Sequence, residues 1–309
     1  MDPLDLVRLA PLMRRTPGRA EIVVGLIDGG VAVDHPDLAG HPVRHLRPGD
    51  RGSGCGPDDP ACRHGTFVAG ILSARRGSAA PGICPHCTLL ARPLFSACRG
   101  TARDGPGGTA PGPPAAEPEE LAAAVVEVVD AGARVLNLSL ARAQPTSSAH
   151  RGLAQALDHA AARGVIIVVA AGNQGTLGTS TLTRHPWTIP VAACGRDGRP
   201  LGLTNLGAAI GRNGMGAPGD GITSLGADGA AVTLSGTSAA APFVTGAIAL
   251  LWSLFPAAGA AEVRYAVTRA AARRRNSVAP PLLDAWAAHQ ALAADGGGAR
   301  GGRPGRLSA

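Results

Sequence analysis

The run Val165 to Ala170, VIIVVA, is apolar at every position and follows directly on a helical pattern, Arg151 to Ala162. A strand without polar alternation has both faces buried, which requires a parallel sheet covered by helices on each side. The rest of the chain repeats this arrangement. Glu21 to Ile27 (EIVVGLI), Cys87 to Leu94 and Val135 to Leu138 read as further buried strands. Between them, His64 to Ala74 and Pro118 to Ala131 place apolar residues on one helical stripe: Phe67, Val68, Ile71 and Leu72, then Leu121, Val125, Val128 and Val129. After Gly172 short strands and Gly-rich turns lead into a long helix from about Ser238. Two more helices, Ala260 to Ala272 and Leu282 to Ala293, close the fold. The reading is an α/β single domain, a mostly parallel sheet with helices on both faces.

The material for such a core is present. Of 309 residues, 45% are hydrophobic and 17% charged, which rules out a chain disordered throughout. Aromatics are only 3%, so packing rests on Ala, Val, Leu and Ile. The 44 Gly and 26 Pro follow no G-x-y period, which excludes a collagen-like chain. Two segments fall outside the core pattern. Arg99 to Pro118 is dense in Gly and Pro and reads as an exposed loop; residues 296–309, GGGARGGRPGRLSA, read as a disordered tail. Residues 1–20 then form an N-terminal extension before a domain spanning 21–295.

Charge and targeting signals narrow the class. The net charge is +7, all of the basic residues being Arg. They are scattered apart from Arg273-Arg274-Arg275 and are not interleaved with aromatics, so no nucleic-acid partner is expected. The start MDPLDLVRLAPLMRR lacks a basic n-region and a continuous apolar h-region, which makes a cytoplasmic protein the expectation. The uncharged span Gly229 to Ala261 contains Ser, Thr, Pro and Gly, so it reads as a buried core helix and no membrane partner is expected. Six Cys occur. Cys84-Pro85-His86-Cys87 has metal-knuckle spacing, but no second such pair follows, and small buried or turn cysteines are the expectation. Cys55 and Cys62 flank a Pro/Asp turn where oxidation would form a local staple; the pairing of Cys84, Cys87, Cys98 and Cys194 stays open. Asp58-Asp59 reads as a solvated turn, and no metal or cofactor is expected.

In open parallel sheets functional residues collect at the carboxyl ends of strands. Asp28 stands there, directly after VVGLI. His64 opens a helix in HGTFVAGIL, where Gly65 lets another backbone come close. Ser238 lies at the predicted start of the long helix in SGTSAAAPFVTG. Each alone reads as a cap or turn residue. Together they supply what amide hydrolysis needs: a hydroxyl nucleophile, a base to take its proton, and a buried carboxylate to orient the base and offset its charge.

In the order Asp, His, Ser, these residues resemble the subtilisin-like serine peptidases, the subtilases. The matching segments are VVGLIDGGVAVDHPDL, HGTFVAGIL, VLNLSL, AAGNQG, APGDGITS and SGTSAAAPFVTG, which together cover about Glu21 to Ala293. The resemblance implies the subtilisin-like fold. It makes Ser238 the nucleophile, His64 the general base and acid, and Asp28 its orienter. Asn173 in AAGNQG would donate from its side chain to the oxyanion, together with the Ser238 N–H. Ser139, Leu140 and Ala141 would bind extended substrate as an added strand, and Ala170, Ala171 and Gly172 would wall the pocket for the residue before the cleaved bond. Neutral Gln174 stands where some relatives are acidic, which lessens the preference for a basic substrate residue.

The chain also departs from the family pattern. Gly29 replaces the usual Ser or Thr after the carboxylate, Ala239 the usual Met, Phe243 the usual His and Ala141 the usual Gly. None removes a triad member, so altered specificity or a modest rate is expected. GICPHCTLLARPLF and AGNQGTLGTSTLTRHPWTIPVAACGRDGRPLGLTNLG resemble the cyanobactin-type proteases, which implies cleavage of a leader from a ribosomally made precursor peptide. Ring-closing members resemble one another in a helical insertion that shields the acyl-enzyme; no such helix pair is expected between Ala74 and Leu94 or Arg99 and Pro118, so hydrolysis is favoured. No room is expected before Glu21 for a long inhibitory propeptide. A different class of reading stays open: a non-catalytic, subtilase-like scaffold that binds precursor peptide.

Overall fold

The computed structural model describes residues 1–46, 55–95, 117–139, 150–269 and 277–298. The chain opens with two short helices, α1 (Pro3–Leu6) and α2 (Ala10–Arg15), whose neighbourhood places Val7, Leu9 and Leu12 in the main core. Residues 1–20 are thus built into the domain they precede. There follow β1 (Val23–Gly29), β2 (Val43–His45), α3 (Pro60–Ser73), β3 (Thr88–Phe95), α4 (Pro118–Asp130), β4 (Val135–Leu138), α5 (Arg151–Ala162) and β5 (Ile166–Ala170). Next come α6 (Thr181–Arg184), β6 (Thr188–Cys194), α7 (Ala208–Asn213), β7 (Met215–Pro218), β8 (Ile222–Leu225) and β9 (Ala231–Leu234). The chain ends in α8 (Thr237–Leu254), α9 (Ala260–Arg269) and α10 (Ala285–Gly298).

Seven strands form one parallel sheet in the order β2-β3-β1-β4-β5-β6-β7; β8 and β9 make a separate antiparallel hairpin. The sheet is the mostly parallel, helix-covered α/β architecture that the apolar runs demand. Alternation along each strand sorts the two faces. On β5, Ile166, Val168 and Ala170 enter the core beneath α3 and α8, while Ile167 and Val169 enter the core beneath α4 and α5. On β4 the same rule sends Leu136 and Leu138 to the α4/α5 side and leaves Asn137 on the α8 side. The winding direction of the sheet reverses between β1 and β4, the place where open α/β sheets bind ligands at their carboxyl ends.

Helix α8 is long and apolar enough to cross a membrane, but it lies buried all round inside the fold. Several elements differ from the expected ones. The short strands expected after Gly172 include β6 and β7, which extend the main sheet. α3 begins at Pro60, earlier than expected, because Asp59 caps it by accepting from Ala61 N and Pro60 supplies the preset first helical residue. His64 therefore sits in the second turn and does not open the helix. α10 runs to Gly298, three residues into the expected tail. The remainder of that tail, 299–309, lies outside the described residues, as do 99–116 of the expected loop and Cys98.

Candidate active site

The strand registers bring the expected residues to one level. Ile27 of β1 pairs with Leu138 of β4, and Leu138 pairs with Val169 of β5. Asp28, Ser139 and Ala170, each one residue further on, therefore stand in a row across the carboxyl edge of the sheet.

Helix α3 carries His64 to this edge by backbone contact. A Cβ on Gly29 would lie 1.9 Å from Ala61 O, and one on Gly65 would lie 2.3 Å from Gly30 O. Only glycine at both places permits the approach, as the sequence suggested for Gly65. The result is a 2.6 Å hydrogen bond between His64 Nδ1 and Asp28 Oδ1. The carboxylate is 2 % exposed and the imidazole 30 %. Asp28 Oδ1 also accepts from Gly29 N at 2.6 Å, whereas buried Oδ2 has no hydrogen-bond partner among the described residues. Burial alone would pull the His64 pKa down, but the Asp28 charge and hydrogen bond outweigh it and raise it above the ordinary histidine value. The pairing fixes Nδ1 as the protonated nitrogen, so Nε2 is the one able to take a proton.

Ser238 occupies the first turn of α8, which packs on α3. Its hydroxyl donates to Ser139 O at 3.0 Å, and the Ser139 hydroxyl donates back to Ser238 O at 3.3 Å. The second bond has a cause in the sequence. Pro242 stands four residues after Ser238 and has no N–H, so the Ser238 carbonyl lacks its helical donor. Ser139 supplies one. Asn137 Nδ2 in turn donates to Ser139 Oγ at 2.7 Å, and Thr245 Oγ1 donates to Asn137 Oδ1 at 2.8 Å.

Asn173 is oriented by Thr237. Its Oδ1 accepts from Thr237 N at 2.9 Å and Thr237 Oγ1 at 3.0 Å, while Thr237 Oγ1 accepts from Gly172 N at 3.1 Å. With Oδ1 committed to two donors, the amide orientation is determined and Nδ2 faces away as a donor. The Ser238 N–H is a first-turn helix donor with no intrahelical acceptor.

The expected substrate residues divide. Ser139, Ala170, Ala171 and Gly172 are buried at the sheet edge. Leu140 and Ala141 lie outside the described residues. The main-chain groups of Ala171 and Gly172 are already engaged. Ala171 N donates to Val191 O and Gly172 O accepts from Asn205 N, so these residues can form a wall but not a pairing edge. Thr237, Asn137, Thr245 and Asn205 were not singled out from the sequence. Thr237 lies inside SGTS, where its hydroxyl was a signal that could have been used; the other three stand among residues ordinary for their elements.

The cysteines fall away from the row. Cys55 and Cys62 form a disulfide, the local staple foreseen as an option. Cys84, Cys87 and Cys194 are free and buried. Cys84 and Cys87 hydrogen-bond each other, which raises Cys84 and lowers Cys87, and the Cys87 sulfur lies 3.8 Å from Ser253 Oγ behind α8.

A protein-family model described as "Subtilase family" matches residues 19–295. The chain belongs to the subtilases, a family of serine peptidases. It is 31% identical over 242 residues to a thermophilic serine proteinase of Bacillus sp. (strain AK1), covering 77% of this chain and 54% of that protein. It is 29% identical over 251 residues to subtilisin DY of Bacillus licheniformis, covering 79% and 81%. The chain thus spans about half the length of the first relative and four-fifths of the second. Among solved structures, the prenylagaramide maturation protease PagA superposes with a TM-score of 0.79 at 26% identity, covering 92% of this chain and 98% of that one. The patellamide maturation protease PatA gives 0.75 at 28%, covering 90% and 98%.

Proposed function

We propose that this subtilase is a serine endopeptidase in which Asp28, His64 and Ser238 cleave peptide bonds through an acyl-enzyme. The observation that carries this reading is the 2.6 Å His64–Asp28 hydrogen bond, which leaves Nε2 as the base. On substrate binding the Ser238 hydroxyl exchanges its bond to Ser139 O for one to His64 Nε2. As Ser238 Oγ attacks the carbonyl carbon, its proton passes to Nε2, and Asp28 offsets the imidazolium charge. The carbonyl oxygen, now negative, accepts from Asn173 Nδ2 and Ser238 N–H. His64 then returns the proton to the leaving amine. Water, deprotonated by His64, releases the acid and restores the hydroxyl.

The substrate in this proposal is a precursor peptide, cut in the maturation of a peptide natural product. PagA and PatA, which share the fold over nine-tenths of this chain, are described as maturation proteases. Hydrolysis, not ring closure, is the favoured outcome, because the described residues between α3 and β3 contain no helix to shield the acyl-enzyme. One observation favours the scaffold reading instead: the Ser238 hydroxyl is 3.0 Å from Ser139 O in the unliganded site. A fluorophosphonate probe separates the two. Labelling of the folded wild type but not of Ser238→Ala is expected, with mass spectrometry of a cut precursor-peptide library giving the site. A folded wild type that resists the probe and cuts nothing would leave the scaffold.

A further inference from the structure

Asn205 lies in the connection between β6 and α7, is 2 % exposed and belongs to none of the residues assigned to the chemistry. Among the described residues, six hydrogen bonds run from it into the segment that holds Asn173. Its Oδ1 accepts from Gln174 N, Thr176 N and Thr176 Oγ1, each at 3.1 Å. Its Nδ2 donates to Ala171 O at 3.3 Å and Gln174 Oε1 at 2.6 Å, and its N–H donates to Gly172 O at 2.9 Å. These partners bracket Asn173 from both sides. The chain between them turns through Gly172 at φ +103°, where a Cβ would lie 2.4 Å from Asn205 Nδ2. The side chain thus fills the inside of the turn that Asn173 crowns.

We infer that Asn205 is a positioning residue for the oxyanion donor: it fixes the backbone of Asn173, as Thr237 fixes its amide. This deepens the proposed peptidase reading and rests on it. The two constraints are complementary. Thr237 acts on Asn173 Oδ1 and so sets the direction of Nδ2. Asn205 acts on Ala171, Gly172, Gln174 and Thr176 and so sets where the Asn173 Cα stands. A donor tuned to a charge that exists only in the transition state must be held before the charge appears, since a displacement of about 1 Å costs about 100-fold in rate. No residue other than Asn suits the place, which requires three donors to meet an acceptor and two acceptors to meet a donor on one planar group. Asp keeps the shape and the three accepted bonds, but it sets an oxygen against Ala171 O and Gln174 Oε1.

The test is a double-mutant cycle on a peptide that the wild type cuts, combining Asn205→Asp with Asn173→Ala. Asn205→Asp is expected to lower kcat by about 10–100-fold with KM changed less than about twofold. In the Asn173→Ala background, where the donor that Asn205 positions is gone, the same change is expected to cost less than about threefold. A loss carried by KM, or one that multiplies in full in that background, overturns the inference. Should Asn205→Asp not fold by circular dichroism, Thr176→Val carries the test, since Thr176 is exposed and its hydroxyl gives one of the three donors. It is expected to cost about three- to fivefold in kcat, again only when Asn173 is present, and an unchanged kcat would overturn the claim. The peptidase reading fails separately, on a wild type with no hydrolysis dependent on Ser238, and the positioning role falls with it.

Discussion

In the proposed peptidase, the side of the site that holds the base and the side that holds the nucleophile are kept in place by different means. On the base side, two side chains share one hydrogen bond, Asp28 Oδ2 has no partner among the described residues, and the positions are fixed by backbone contact between Gly29, Gly65 and Ala61 and by the Cys55–Cys62 bond. On the nucleophile side two hydrogen-bond networks meet at the Thr237–Ser238 peptide: one ties Ser238 to Ser139, Asn137 and Thr245, the other ties Asn173 to Thr237 and its flanking backbone to Asn205. The difference follows the chemistry. In that proposal the imidazole gains and loses a proton, so a charge and close packing hold it without committing Nε2. The oxyanion donors must not move at all, and a network of fully used polar groups is the stiffest support a buried site offers.

The sharpest way to break this comparison is to put a side chain where the base side has none. The unpartnered Asp28 Oδ2 invites a hydroxyl, and Gly29 stands where relatives usually carry one. Yet the Cβ of Gly29→Ser would lie 1.9 Å from Ala61 O, so α3 must move away from β1 and take His64 with it. The expected result is a loss of about 100-fold or more in kcat/KM together with a lower melting temperature. A variant that melts like the wild type and cuts faster would show that the base side has room after all.

A smaller effect comes from titration. The His64 pKa is raised in the fold, so protonated His64 favours the folded state. That contribution to stability is fully present below the unfolded histidine value and is lost as pH rises through the raised one. Activity runs the other way because the base must be neutral: kcat/KM should climb about tenfold per pH unit up to the raised value and then level off. The limb should lie above that of an ordinary histidine, and Asn173→Ala should lower the plateau without moving it. A limb shifted by Asn173→Ala would show that the two sides are electrostatically coupled.

The sequence made the skeleton legible and left its supports unread. Apolar runs and helical stripes predicted β1, β4, β5, α4 and α5 to within a residue or two, because both-face burial leaves no other pattern. Asp28, His64, Ser238 and Asn173 were singled out because their motifs are local: each is flanked by residues that shape its own turn. Asn205 and Thr245 were not, because their partners lie 29–34 and 108 residues away and nothing nearby marks them. The start of α3 was misjudged for a related reason: the Asp59-Pro60 signal was read as a turn, when it caps the helix. Long-range polar supports of this kind are a product of topology, and a single chain does not display them.

The smallest expected effect concerns the staple. Cys62 lies two residues before His64 on α3, and the Cys55 sulfur packs where a Cβ on Gly30 would come within 3.2 Å. The bond thus clamps the entry to α3 against the chain that follows Asp28. For a sequence separation of 7, the chain-entropy argument gives about 2–3 kcal/mol. Most of α3 is buried independently, so reduction should loosen its first turn without releasing the helix. A phosphine reductant is expected to lower kcat/KM about two- to fivefold and to leave Cys55→Ser/Cys62→Ser unaffected. The nucleophile side contains no disulfide among the described residues, so the fluorophosphonate adduct, once formed, should be indifferent to reductant. Equal rates with and without reductant would show that packing at Gly29 and Gly65 holds His64 unaided. The enzyme would then work as well under reducing conditions as under oxidising ones.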